Sequence, residues 1–155
     1  LVFLGMAVGS AVGPWLSDII QKRKPLMILG AAIQLLCLLA ILYVPSPSLV
    51  FALTACFIFG VGASGSMLPF SSAADVVKPE QVGTSAAIVN GASFILAGIM
   101  MSQPGVIISR GMAAGTDIEP LAIAQAAAMP LLITAAIPVV LGFFMKESYP
   151  SANRT

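Results

Sequence analysis

Histidine is absent from the 155 residues, charged side chains make up only 8%, aromatic ones 7%, and cysteine occurs twice. Without histidine the chain lacks the commonest general base and metal ligand, which excludes Ser-His and Cys-His catalysis and histidine-held metal sites. Seven Lys plus Arg against six Asp plus Glu leave a net charge of +1, excluding a nucleic-acid binder that works by neutralising phosphates. No G-x-x-x-x-G-K-S/T run is present, so the chain supplies no ATPase phosphate cradle. Cys37 and Cys56 lie in apolar runs, where free thiols are the default. No cofactor or metal is called for. The scarcity of charge excludes most: soluble domains carry roughly 25% Asp, Glu, Lys and Arg, and a chain this poor in them could not cover its surface in water.

What is present is apolar: 59% of the residues are hydrophobic and the mean hydropathy is +1.03. The charges cluster at Asp18 to Lys24, Asp75 to Glu80, Arg110 to Glu119 and Lys146 to Arg154, with uncharged sequence between them. A bilayer core takes about 20 apolar residues per helix, so the chain divides into segments 1–16, 26–44, 49–73, 84–108 and 121–145, followed by a tail, 146–155. The second and third part at Pro45-Ser46-Pro47-Ser48, where two prolines remove backbone donors. Lipid admits only helices or closed barrels, and the runs lack the period-two alternation of a barrel strand. The expected fold is an all-α membrane protein, a polytopic bundle of transmembrane helices.

Sidedness follows from the connections. Counting alternate sides, Lys22, Arg23, Lys24, Lys78, Lys146 and Arg154 share one face and Arg110 stands alone on the other, which makes the first face cytoplasmic by the positive-inside rule. The turn 45–48 and the loop 110–120 then face outward and the tail lies inside. The opening segment is short for a span, starts with Leu1 and has no basic flank. It reads as a cut helix, with more chain expected before it.

Gly5, Gly9 and Gly13 recur every four residues, which puts three bare positions on one helix face. Small residues are spaced similarly at Gly60 with Ser64, Gly62 with Ser66, Gly83-Ala87-Gly91 and Gly98 with Ser102. Tight helix packing is the favoured reading over a substrate role. After the first segment, Gly13-Pro14-Trp15-Leu16-Ser17-Asp18-Ile19-Ile20-Gln21-Lys22-Arg23-Lys24 sets a carboxylate at a helix end and three cations in a short connection. A topology-setting basic loop would need no aspartate.

This stretch resembles the G-x-x-x-D-R/K-x-G-R/K-R/K loop of the major facilitator superfamily. Asp18 matches the acidic position and Lys22 and Arg23 the two terminal basic ones. Pro14 stands at the first glycine position, Ile19 at the first basic one and Gln21 at the second glycine. Such degenerate copies are usual between the eighth and ninth helices. Downstream, Phe59-Gly60-Val61-Gly62-Ala63-Ser64-Gly65, then Gly83-Thr84-Ser85-Ala86-Ala87-Ile88-Val89-Asn90-Gly91 and Gln103-Pro104-Gly105, look like that superfamily's tenth and eleventh helices. The five segments then correspond to helices eight to twelve, a partial fold of the family.

The resemblance implies a secondary transporter of a small-molecule substrate in the cell inner membrane. It would work by alternating access, with the N-terminal half of the same chain as the missing partner. It makes Asp18, Lys22 and Arg23 a conformational switch loop, in which the carboxylate meets the N-terminal end of a helix in the opposite half. Gly5, Gly9, Gly13 and Gly91 are assigned to helix packing, and Ser64 and Asn90 are the candidates for the substrate cavity. Gln34 and Gln125 fall on helices the family places at the periphery. No ionisable residue lies at mid-depth, so a coupling proton or ion, where one is used, depends on residues outside these segments. Two other classes stand beside this reading: a small membrane scaffold or regulatory subunit, and a membrane-embedded enzyme. The enzyme is disfavoured because no intramembrane His, Asp or Glu accompanies the serines.

Overall fold

Lipid offers backbone groups no partner, so each long apolar run must close its own hydrogen bonds. The computed structural model describes residues 1–45, 48–113 and 120–149, and it is helical in all five runs. The helices are α1 (Val2–Ile20), α2 (Lys24–Tyr43), α3 (Leu49–Ala63), α4 (Leu68–Asp75), α5 (Val82–Ala113) and α6 (Pro120–Phe144). Parts of the turn 45–48, Asp117, Glu119 and Arg154 lie outside the described residues, as do the side chains of Ser66 and Ser71.

Local chemistry sets the boundaries. Ser48 caps α3, its side chain accepting from the Phe51 N–H at 3.2 Å. The third span is not the single helix expected over 49–73, because a 3-10 turn, Ser64–Met67, separates α3 from α4. Pro69 has no N–H for the Gly65 carbonyl, which takes the Leu68 N–H one residue early and tightens the turn. α1 runs four residues beyond its expected end at Leu16, bringing Asp18 into its last turn. α5 likewise takes in Arg110, a cation favourably placed at the negative end of the helix dipole.

The helices alternate in direction. α1 lies parallel to α3, with Gly5 against Phe57 and Gly9 against Val61 and Ser64. α2 runs antiparallel to α3 on one side, Gly30 facing Gly62, and antiparallel to α6 on the other, Ile28 facing Gly142. α5 packs on α6, and its first turns lie beside α4. The buried apolar residues are Ala31, Ala55, Leu68, Ala127, Ala128 and Leu132, while Phe3, Met101 and Phe144 are more than four-fifths exposed. Cohesion therefore comes from close backbone approach at small residues, as in membrane bundles, with large side chains turned outward.

Candidate functional site

The residues at the start of α2 pose an electrostatic problem. Lys22, Arg23 and Lys24 gather at a helix N-terminus, the end where the dipole disfavours cations. Pro25 suits the first turn, but Arg23 at the N-cap offers no side-chain acceptor and no acid stands in that turn. The missing anions arrive from distant parts of the chain. Glu147, just past α6, accepts the Arg23 N–H at 2.8 Å through Oε1 and the Lys24 N–H at 3.3 Å through Oε2. Its Oε1 also takes the N–H groups of Ser148 at 3.0 Å and Tyr149 at 3.1 Å. Burial alone would push the Glu147 carboxyl up, but the N–H groups of Arg23, Tyr149, Lys24 and Ser148 together outweigh it and hold the pKa below the ordinary glutamate value.

Asp75, at the end of α4, supplies the second anion. Its Oδ2 lies 2.9 Å from Arg23 Nη2, with the two side chains 20% and 15% exposed. The contact is an ion pair without hydrogen-bond alignment, and Arg23 Nη1 has no partner among the described residues. The guanidinium also sits 5.8 Å from the centroid of the Tyr149 ring, within cation–π range. In the reverse direction, Lys24 Nζ donates to the Phe143 carbonyl at 2.8 Å, at the C-terminal end of α6.

The connection from α1 to α2 turns within three residues because Gln21 adopts the left-handed conformation, φ 52° and ψ 36°. Gln21 occupies the position of the second glycine in the loop pattern, and the positive φ gives that glycine its physical reason. Ser17, 2% exposed, steadies the turn by donating to the Lys22 carbonyl at 3.3 Å. Asp18 projects from the same turn into the open, with the Tyr149 hydroxyl donating to its Oδ1 over a long 3.4 Å.

Of the three loop residues singled out in the sequence, Arg23 is thus half-buried and paired, while Asp18 and Lys22 are exposed. Glu147 and Asp75 escaped the sequence reasoning. The detectable signal was three cations and a proline opening a helix with no acceptor of its own.

Of the packing glycines, Gly5 and Gly9 meet α3 directly. Gly13 stands back, a Cβ there being 3.9 Å from Ser64 Oγ, and at Gly91 nothing among the described residues comes within 4 Å. Ser64 and Asn90 are not brought together. Ser64 is buried where α1 meets the third span, donating to the Val61 carbonyl at 2.7 Å, beside a cavity of about 110 Å³ that also touches Gly9, Gly30 and Gly62. Asn90 is exposed on α5, none of whose residues is buried. Gln34 and Gln125 bridge helices, Nε2 donating to the Gly62 carbonyl at 3.4 Å and the Leu42 carbonyl at 3.0 Å respectively. A larger apolar groove of about 410 Å³ runs between α5 and α6, with Met100 and Thr134 on its walls.

No curated protein and no solved structure matches the chain. The family model described as Major Facilitator Superfamily matches residues 1–102, which take in α1 to α4, the loop carrying Asp18 and most of α5. With five helices long and apolar enough to cross a membrane and a charged turn of this build, the chain belongs to the major facilitator superfamily of membrane transporters.

Proposed function

We propose that the chain supplies helices eight to twelve of an alternating-access transporter for a small solute in the cell inner membrane. Residues 1–145 form five spans of its second half, and residues 146–155 form a cytoplasmic tail. One contrast carries the reading. At the charged end Arg23, Asp75 and Glu147 are engaged within the chain, whereas Asp18, one turn away, is exposed and has only a long contact to Tyr149. A carboxylate left open beside a rigid support is suited to engage an outside partner, and a helix N-terminus in the other half would provide one, worth about 0.3–2 kcal/mol depending on burial. Such an energy lets the contact form and break in each cycle.

α5 supports the same reading. Among the described residues nothing comes within 4 Å of a Cβ at Gly83, Gly91, Gly98 or Gly105, although Gly5 and Gly9 of α1 and Gly60 and Gly62 of α3 are in close contact. The N-terminal half of the transporter is the partner we assign to that face of α5, the helix that carries the exposed Asn90, whereas Ser64 is buried where α1 meets the third span. These spans carry no mid-depth ionisable residue, so any ion coupling belongs to residues outside them. The test is uptake in proteoliposomes by the full transporter once a transported solute is in hand. Asp18→Asn is expected to cut flux about tenfold, the factor that 1.4 kcal/mol corresponds to, with little loss of expression. Unchanged flux would remove the switch assignment.

A further inference from the structure

α2 and α6 lie antiparallel, so the N-terminus of one meets the C-terminus of the other at the charged end, and each supplies what the other lacks. α2 has no side-chain cap and no acid in its first turn; Glu147, following α6, takes the N–H groups of Arg23 and Lys24. α6 has no basic residue in its last turn, and Lys24 of α2 donates to its Phe143 carbonyl. Anion on N-terminus and cation on C-terminus are both the favourable sense of the helix dipole. The exchange joins residues more than a hundred positions apart in sequence, which a local cap never does.

We propose that Glu147 is a positioning residue of the transporter: a cap supplied from the far end of the same chain that, with Lys24 in return, clamps the end of α6 to the start of α2. Because the Asp18 turn leads directly into α2, the clamp makes that turn ride on α6. Three features separate this contact from an ordinary surface ion pair. The carboxylate grips backbone N–H groups, whose positions the helix fixes, so little side-chain freedom of the partner is lost. The hydroxyl that could have capped locally, Ser17 Oγ, is already committed to the Lys22 carbonyl. Arg23, whose N–H Glu147 holds, is also gripped from α4 by Asp75 and stacked over Tyr149, so the ends of α2, α4 and α6 converge on one residue. The segment Glu147 to Tyr149 is therefore part of the bundle's mechanical frame. This inference goes beyond the transport reading and needs no substrate to test.

The experiment uses the full transporter in lipid nanodiscs, with Cys37 and Cys56 replaced by alanine and spin labels on cysteines at Ile20 and Lys146. Amide exchange is followed in parallel at Arg23 and Lys24. Glu147→Ala is expected to broaden and lengthen the label distance and to speed exchange at both amides about tenfold, the scale of a lost N-cap. Glu147→Gln keeps one acceptor oxygen without the charge and is expected to fall between; it also stands in should the alanine variant not accumulate folded. Glu80→Gln, the same charge change at an exposed position of the same end, should change neither readout. A distance and exchange pattern unmoved by either Glu147 variant, or moved equally by Glu80→Gln, would overturn the proposal. Solute flux enters none of these outcomes, so they stand or fall apart from the transport reading.

Discussion

Gly60→Ala offers the sharpest test of how the helices are held. A Cβ at Gly60 would collide with the Val2 carbonyl oxygen and lie 2.9 Å from the carbonyl carbon and 3.0 Å from the Met6 nitrogen. All three are backbone atoms of α1, so no rotamer change relieves the overlap and α1 must move. Restoring ordinary contact means opening the α1–α3 seam by about 1 Å or more, which forfeits about half of each dispersion contact across it. With on the order of 40 heavy-atom pairs at ~0.15 kcal/mol each, the loss is about 3 kcal/mol, at the upper end of the usual range for overpacking. At about 2–4 °C per kcal/mol for a chain of this size, thermal unfolding in a fixed detergent should drop by roughly 6–12 °C. Two glycines calibrate the scale. The three atoms nearest a Cβ at Gly142 are side-chain atoms of Ile28, with Cγ1 at 2.5 Å. A side chain rather than backbone must yield there, so Gly142→Ala should lose less than Gly60→Ala, but a β-branched residue stiff at χ1 keeps the loss above that of an open site. At Gly83 nothing among the described residues lies within 4 Å, so in the 155-residue chain on its own Gly83→Ala should stay within about 0.5 kcal/mol. If Gly60→Ala melts with the Gly83 variant, close backbone approach is not what holds α1 to α3.

Three further outcomes follow from the charged end. Arg110 lies near the far end of α5, about 42 Å along the helix from Val82 at 1.5 Å per residue. Single cysteines at Lys22 and Arg110 should therefore react with an impermeant maleimide from opposite sides of the membrane, and labelling from one side would overturn the five-span reading. Gln21→Gly removes a side chain from a left-handed position, φ 52°, and should stabilise the protein by about 1 kcal/mol; a lower melting temperature would show that the Gln21 side chain contributes more than its backbone strain takes away. The pKa of Glu147 is lowered in the fold, so its stabilising contribution is complete above the unfolded value of about 4.3 and is lost as pH falls through the lower folded value. The labels at Ile20 and Lys146 should thus keep one narrow distance from pH 8 to about pH 5 and loosen only below about pH 4; loosening centred above pH 5 would refute the N–H cap as the cause.

How much of this was legible in the sequence depended on the range of the interaction responsible. The spans were legible because hydropathy and charge spacing act through the bilayer, which treats every segment alike, and Pro45 marked the parting of two of them. The break between α3 and α4 was legible in principle from Pro69, whose missing N–H leaves Gly65 to bond one residue early. It went unread because membrane helices so often tolerate proline with no more than a bend. Helix ends were less legible, since α1 outruns its apolar stretch to include Asp18 and the lipid boundary does not decide where hydrogen bonding stops. Glycine spacing showed that close approach would occur but not where: Gly5 and Gly9 meet α3, while Gly91 faces open space. A period-four repeat records a bare face and says nothing of its partner.

The charged end shows why such partners stay hidden. Lys22, Arg23 and Lys24 look like a solvated topology signal, and taken locally they oppose the helix they precede. Local conflict of this kind is expected where a site is completed from elsewhere in the fold. Resolving it requires two carboxylates, and six Asp and Glu in the whole chain leave few to choose from. Asp75 and Glu147 come to Arg23 because α4 and α6 both end on the face where α2 begins, a consequence of alternating direction alone. That parity was available from the span count. Parity sorts the cations by side and sorts the anions the same way: Asp18, Asp75, Glu80 and Glu147 all fall on the face with the three cations. In a membrane protein this poor in charge, charges assigned to one side have few partners but each other, so span parity is a guide to ion pairs as well as to topology.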